Sequence, residues 1–267
     1  MIGVFDSGVG GLTVLHELLV SLPEEDYVYV GDSGHFPYGT KTVEELTDRA
    51  VAISTYLFER DIKLLVIACN SATAAAGQLI RQMGEEAGVP VLTVVGPEAE
   101  IAGAITDSGR IGVLATPATV ASGAYARALE NLGREFTVTE VAAPDLAPII
   151  QQGLYFDENI LRTVRSYCEP LKQADVDTLI LGCTHYPLIA PMLQRLLGRD
   201  VRLVTAGHAI AGAIQRNLAQ RDNLARTGRE GTYSFLVTGD KEGFETLGTR
   251  FLQLPLDGRV EHTRLGE

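Results

Sequence analysis

Residues 64–73 read LLVIACNSAT, and residues 178–187 read TLILGCTHYP. Each is an apolar, largely branched run that stops at a cysteine, Cys69 or Cys183, with small polar residues directly after it. Short runs of this kind, bounded by turn formers, form strands buried on both faces. Open α/β sheets bind ligands just outside the carboxyl ends of such strands. Two strand ends, each carrying a thiol, therefore predict one site with a sulfur on either side.

Working outward from the first stretch, Ile62–Ala68 is expected as the central strand of a sheet, with an alanine-rich helix to about Glu86 and a strand over Val89–Val95 behind it. Upstream, Ile2–Phe5 reads as a strand and Asp6–Gly11 as its turn. Leu12, Leu15, Leu18, Leu19 and Leu22 then recur at helical spacing until Pro23. His16 falls on the polar side of that helix, where solvation is expected. Tyr27–Val30 is a strand ending in the loop GDSGHFPYGT, which carries Asp32, Ser33, His35 and Tyr38. Thr42 and Glu45 form a capping box for a helix to about Arg60.

The second stretch sits in a similar setting. A helix over Pro97–Asp107 leads to a strand at Ile111–Ala115 and the polar turn Thr116–Thr119. One helix, a strand near Phe136–Val141 and two more helices precede Val176–Gly182. The helix Asp157–Gln173 carries Cys168, whose expected role is as a small hydrophobe in the core. A helix over Pro187–Leu197 and a short strand at Val201–Val204 follow. The rest of the chain, helix Gly207–Gln220, strand Tyr233–Val237, helix Lys241–Phe251 and a terminal strand, reads as completing the first sheet. Ile2-Gly3-Val4 parallels Ile111-Gly112-Val113, and Ile67-Ala68-Cys69 parallels Leu181-Gly182-Cys183. The expected fold is α/β: two pseudo-symmetric open α/β sandwich domains, residues 1–96 plus 207–267 and residues 97–206, with the site in the cleft between them.

Composition narrows the function. A chain of 267 residues that is 46% hydrophobic and 21% charged has enough apolar material for a real core. A net charge of −12 argues against nucleic acid or an anionic membrane as the main partner. Three cysteines make no disulfide framework and suit a reducing compartment. With no signal-peptide pattern and no apolar run long enough to span a bilayer, a cytoplasmic location is expected.

Four chemistries compete for the two thiols. In a cysteine hydrolase His185 would be the base, but it lies two residues from Cys183 and the second thiol would be idle. A metal site would use Cys69, Cys183, His185 and Asp32, yet no close-spaced ligand pair such as CxxC or HExxH occurs. A structural role leaves the polar residues after each cysteine unexplained. In the fourth reading one thiolate removes a Cα proton and the opposing thiol returns one to the other face, inverting the centre. Each cysteine stands between a strand and a helix, where a helix N-terminus lowers a thiol pKa. The few lysines, Lys41, Lys63, Lys172 and Lys241, do not suggest a pyridoxal cofactor, and DSGVGGLT lacks the pattern of a nucleotide loop.

Taken together, GVFDSGVGGLTV, GDSGHFPYG, VIACNSATA, ATPATVASGAY and LGCTHYPL resemble the glutamate racemase family of the cofactor-independent aspartate/glutamate racemases, in ordered blocks from about Ile2 to about Leu188. The resemblance implies that Cys69 and Cys183 are the acid/base thiols, with Asp6 assisting Cys69 and His185 assisting Cys183. It implies that Ser7, Pro37, Tyr38, Gly39, Asn70, Ser71, Thr116, Thr119 and Thr184 line the substrate site, and it matches Asp32 to an acidic position of the family. From the residues alone, Asp6 could equally cap a helix or bind, and His185 could be a core histidine. The resemblance further implies glutamate as substrate, supply of D-glutamate for peptidoglycan, no cofactor, no metal and a homodimer. A related racemase acting on another amino acid such as aspartate, or a gyrase-inhibiting relative, are the alternatives. The chain departs from the family at Gln151, where PIIQQG stands in place of a glutamate-bearing segment. It departs again at Thr205-Ala206-Gly207, where the family has an Asp-Ser pair.

Overall fold

The computed structural model describes residues 1–153, 158–256 and 258–265. Ten strands are described: β1 (Ile2–Asp6), β2 (Tyr27–Gly31), β3 (Leu64–Ile67), β4 (Val91–Thr93), β5 (Arg110–Ala115), β6 (Thr137–Ala142), β7 (Thr178–Gly182), β8 (Arg202–Val204), β9 (Tyr233–Val237) and β10 (Val260–His262). Eleven described helices surround them: α1 (Leu12–Ser21), α2 (Val43–Phe58), α3 (Asn70–Ala87), α4 (Val95–Ile105), α5 (Pro117–Ala121), α6 (Ala124–Glu130), α7 (Leu146–Gln151), α8 (Glu158–Gln173), α9 (Ala190–Leu197), α10 (Ala206–Gln220) and α11 (Lys241–Leu252).

The strands make two parallel sheets. One has the order β10-β9-β2-β1-β3-β4 and the other β6-β5-β7-β8. The run β2-β1-β3-β4 and the run β6-β5-β7-β8 share one topology, so the sequence echo is a structural repeat. In each repeat the order reverses between the first and third strands, β1 and β3 in one sheet, β5 and β7 in the other. Crevices at such reversals are where open sheets bind ligands. Cys69 follows β3 and Cys183 follows β7, which puts both thiols at reversals. Because both faces of each sheet are covered, β1, β2, β3 and β7 are buried along their whole length.

Local chemistry explains the elements around the reversals. Thr42 and Glu45 close the expected capping box at the start of α2, each side chain meeting the other's backbone. On α1, Leu12, Leu15 and Leu18 are fully buried. Each contributes roughly 1.5–3 kcal/mol by leaving water, which fixes the helix and the Asp6–Gly11 turn before it.

Several expectations need correction. β3 is not central: it lies between β1 and the edge strand β4, because strand order depends on crossovers that no local pattern encodes. The helix expected from Pro97 begins earlier, at Val95. The single helix after Thr116–Thr119 is two, α5 and α6, broken where Gly123 takes φ +62°. The helix expected over Pro187–Leu197 opens as a 3-10 turn over Tyr186–Ile189, and α9 begins only at Ala190, with Pro191 in its first turn. His16 is half-buried, and its Nδ1 lies 2.8 Å from the Leu252 carbonyl, tying α1 to the end of α11. Cys168 is fully buried in the core. Asp157, the expected first residue of its helix, lies outside the described residues.

Candidate active site

Between the carboxyl ends of the two sheets lies a small cavity whose wall carries both Cys69 and Cys183. Cys69 is the N-cap of α3, and its Sγ accepts from the Ala72 N–H at 3.5 Å. The hydroxyl and N–H of Ser7, in the turn after β1, also favour its thiolate. Burial wins over these donors: with Asp6 nearby adding to it, the Cys69 thiol is pushed up to about 12. The Cys183 thiol is likewise pushed well above the usual thiol range by burial, against the backbone N–H of His185. Burial therefore overrides the lowering of the thiol pKa expected from helix N-termini. Cys183 in particular is followed by a turn and a 3-10 segment rather than an α-helix.

Asp6, at the end of β1, is fully buried behind the cavity wall. Its Oδ2 accepts from the N–H groups of Gly8 (3.1 Å) and Gly11 (2.9 Å), and its Oδ1 from the Thr184 hydroxyl at 3.2 Å. Burial raises it to about 6 in spite of these donors. Asp6 thus joins the turn after β1 to the turn of the second thiol, across the two sheets. Thr13, at the start of α1, adds a hydroxyl bond to the Thr184 carbonyl at 2.9 Å.

His185 is 1% exposed, with its ring between Phe36 and Phe251 at centroid distances of 5.3 and 5.2 Å. Its Nε2 donates to Gln151 Oε1 at 3.0 Å, because an amide oxygen can only accept. That leaves Nδ1 unprotonated, 3.9 Å from Cys183 Sγ, where it can accept a hydrogen bond from the thiol. Burial pulls the imidazole down to about 3, so it is a neutral partner. The departure at Gln151 and the second thiol are therefore parts of one arrangement.

Two residues after Cys69, the Ser71 hydroxyl lies 2.8 Å from Thr116 Oγ1 and 3.3 Å from Thr119 Oγ1, which are 3.1 Å apart. This hydroxyl trio joins α3 of one sheet to α5 of the other. Pro37, Tyr38 and Gly39 form a further wall, and Gly39 lies so close to Thr116 that a Cβ there would stand 2.7 Å from its Cβ. Their loop is held by Asp32, which accepts from Tyr38 Oη (2.5 Å), Thr238 Oγ1 (2.6 Å) and both arms of Arg49 (3.0 Å each). Asp32 is thus occupied in anchoring the loop and does not join the thiols. Among the described residues no group of three His, Cys, Asp or Glu side chains clusters as a metal site would. No described helix is long and apolar enough to cross a membrane. Thr205-Ala206-Gly207 lies at the start of α10, away from the cavity wall.

The expected residues other than Asp6 and Thr119 line this cavity, and those two hydrogen-bond to residues that do. Sequence reading missed Phe36, Thr40, Pro144, Ala147 and Pro148 in the wall, and Glu98 and Tyr125 beneath Asn70. Glu98 shares the apolar, alanine-rich α4 with a second acid, Glu100, so the sequence did not single it out.

Comparison with known proteins gives an independent view. The sequence model of the Asp/Glu/hydantoin racemase family matches residues 8–214, well over half the chain. A glutamate racemase of Geobacter metallireducens is 41% identical over 251 residues, covering 94% of this chain and 92% of that protein. The crystal structure of a glutamate racemase isoform from Bacillus anthracis superposes with a TM-score of 0.93 at 35% identity, covering 99% of this chain and 97% of the other. That of a Francisella tularensis glutamate racemase in complex with D-glutamate gives 0.91 at 30% identity, covering 98% and 97%.

Proposed function

The chain belongs to the Asp/Glu/hydantoin racemase family and, within it, to the glutamate racemases, and on that premise we propose that it interconverts L- and D-glutamate with Cys69 and Cys183 as the two acid/base groups. The observation that carries the reading is that two thiols, from equivalent strand ends of a repeated sheet, share the wall of one small buried cavity. One thiolate takes the Cα proton, and the pair of electrons stays on the substrate, delocalised into its carboxylate. The opposite thiol then protonates the other face, and the roles exchange for the other enantiomer. The substrate's ammonium group brings a positive charge beside the thiols, and it favours a thiolate that burial alone would suppress. Ser7 and Ala72 stabilise the Cys69 thiolate, while His185 orients the Cys183 thiol. Asp6 and the hydroxyls of Ser71, Thr116, Thr119 and Thr184, with Asn70, position the substrate among them. Peptidoglycan precursor supply, a homodimer and domains cut near residues 96 and 206 complete the proposal.

The test is incubation with L-glutamate in deuterium oxide, with circular dichroism following inversion and proton NMR following the Cα position. Deuterium must enter Cα as the optical signal decays. Cys69→Ala and Cys183→Ala must each abolish racemisation while leaving the fold intact. Full turnover in either variant refutes the two-thiol scheme, and inversion of aspartate but not glutamate reassigns the substrate.

A further inference from the structure

Beneath the Cys69 turn lies a buried polar cluster of which the scheme above uses Asn70 alone. Glu98 on α4 and Tyr125 on α6 are both 0% exposed, and Asn70, the residue after Cys69, is 2% exposed. Asn70 Nδ2 donates to Glu98 Oε2 at 2.9 Å and to Tyr125 Oη at 2.7 Å, and Tyr125 Oη donates to the same Glu98 oxygen at 2.6 Å. A side-chain amide has two N–H groups, and both are thereby used. Its carbonyl, Asn70 Oδ1, is buried with no partner, although Asn70 lines the cavity. Native interiors rarely leave such an acceptor unmade, and an exception calls for a ligand or a function.

We propose that Glu98 and Tyr125 are positioning residues that lock the Asn70 amide with both hydrogens turned away from the cavity, so that its free oxygen accepts from the substrate's ammonium group. The proposal rests on the glutamate reading and deepens it by placing amine recognition in a three-residue device spanning α3, α4 and α6. An amide free to turn over would present N–H groups to a cation, and the ligand would meet repulsion where it needs an acceptor. Tyr125 is suited to the task because its single hydroxyl accepts from Asn70 and donates to Glu98. Glu98 is suited because its Oε2 accepts from both Asn70 and Tyr125, while burial raises its carboxyl to about 8 against these donors. A glutamine keeps that acceptor oxygen.

The experiment compares D-glutamate with glutarate, the same dicarboxylate without the amine, in E98L, E98Q and Y125F. Leucine fills the space of Glu98 without an acceptor, and Y125F keeps the buried ring, so Y125F carries the test should E98L fail to fold. In E98L and Y125F the KM for glutamate is expected to rise about tenfold, the effect of roughly one lost hydrogen bond to a charged group, with kcat changed less than about threefold. The inhibition constant of glutarate should stay within about twofold. E98Q, which keeps an acceptor oxygen, should restore the glutamate KM to within about twofold of the unmodified protein. Parallel weakening of glutamate and glutarate, or an unchanged glutamate KM, overturns the positioning role. Absence of glutamate turnover in the unmodified protein overturns the underlying reading instead, so the two failures are distinguishable.

Discussion

Gly10 offers the sharpest steric test of the site. It sits in the turn after β1, and a Cβ built there would lie 2.4 Å from His185 Nδ1, 2.4 Å from Thr184 Oγ1 and 2.5 Å from His185 Cε1. Ordinary contact begins near 3.4 Å, so in Gly10→Ala the imidazole and the Thr184 hydroxyl must retreat by about 1 Å, a misplacement able to cost about 10²-fold in rate. Overpacking of this sort typically costs about 1–3 kcal/mol. In a chain of this size that corresponds to a fall in Tm of roughly 2–12 °C, so the protein should remain folded while its activity collapses. Backbone strain adds nothing, since Gly10 is not among the glycines with positive φ. Gly8, two residues earlier in the same turn, is the control: its Cβ would meet Phe36 at 3.6 Å, ordinary contact. The assay is initial-rate racemisation in both directions beside thermal unfolding. Gly10→Ala turning over within about threefold of the unmodified protein, or Gly8→Ala losing as much as Gly10→Ala, would refute the claim that this turn holds the His185 and Thr184 side chains in place.

Two further outcomes are expected. Asp32→Asn removes the carboxylate that Arg49 grips with both arms; breaking a buried ion pair costs about 3–5 kcal/mol, and the lower figure applies because the Arg49 side chain keeps 18% of its exposure. Burial works against the Asp32 charge, but Arg49, Thr238 and Tyr38 outweigh it and hold the carboxyl below its ordinary value. The stabilisation is therefore present above that ordinary value and lost as pH falls through the folded one, so the Tm gap between the two proteins must narrow in acid; a constant gap refutes the assignment. Gln151→Glu places a carboxylate 3.0 Å from Nε2 of a histidine now held near 3. The imidazole pKa should rise, and nitrogen NMR should find a cationic ring at pH values where the unmodified protein has a neutral one. A ring that stays neutral in both proteins across the folded range contradicts the contact.

How much of this was legible in the chain follows from where each signal is encoded. β3 and β7 announced themselves because both faces are buried, and a doubly buried strand must be apolar throughout. Asn70, Ser71 and Thr184 were legible because polar residues directly after such strands have few places to go except the crevice, whereas Asp6, Ser7 and Thr116 were assigned to the site by the family resemblance. The position of β3 in its sheet was not legible, since strand order is decided by crossovers. Glu98 and Tyr125 were hidden for a related reason: they lie 28 and 55 residues from Asn70 and meet it only through the packing of α4 and α6. The thiol pKa values were misjudged because helix N-termini were weighed and burial was not. At Cys69 the donors of α3 and Ser7 are present, yet full burial outweighs them.

The unequal surroundings of the two thiols have a kinetic consequence if glutamate is the substrate. Cys69 rests on a helix N-terminus and Ser7, whereas Cys183 rests on a backbone N–H and a neutral imidazole. In achiral water the enantiomers have equal free energy, so the reaction's equilibrium constant is about 1 and kcat/KM must be the same in both directions, however asymmetric the protein. The asymmetry can appear only in kcat and KM taken separately, as each enantiomer requires a different thiol to be ionised first. Gly10→Ala, which disturbs the Cys183 side, should accordingly lower kcat/KM by one factor in both directions while moving the two kcat values apart. Unequal kcat/KM losses would violate the equilibrium constraint and expose a faulty assay, so the informative quantity is the split in kcat. Identical kcat losses in both directions would refute this split and mean that the disturbance reaches both thiols alike, by way of the Thr184–Asp6 bond beside Cys69.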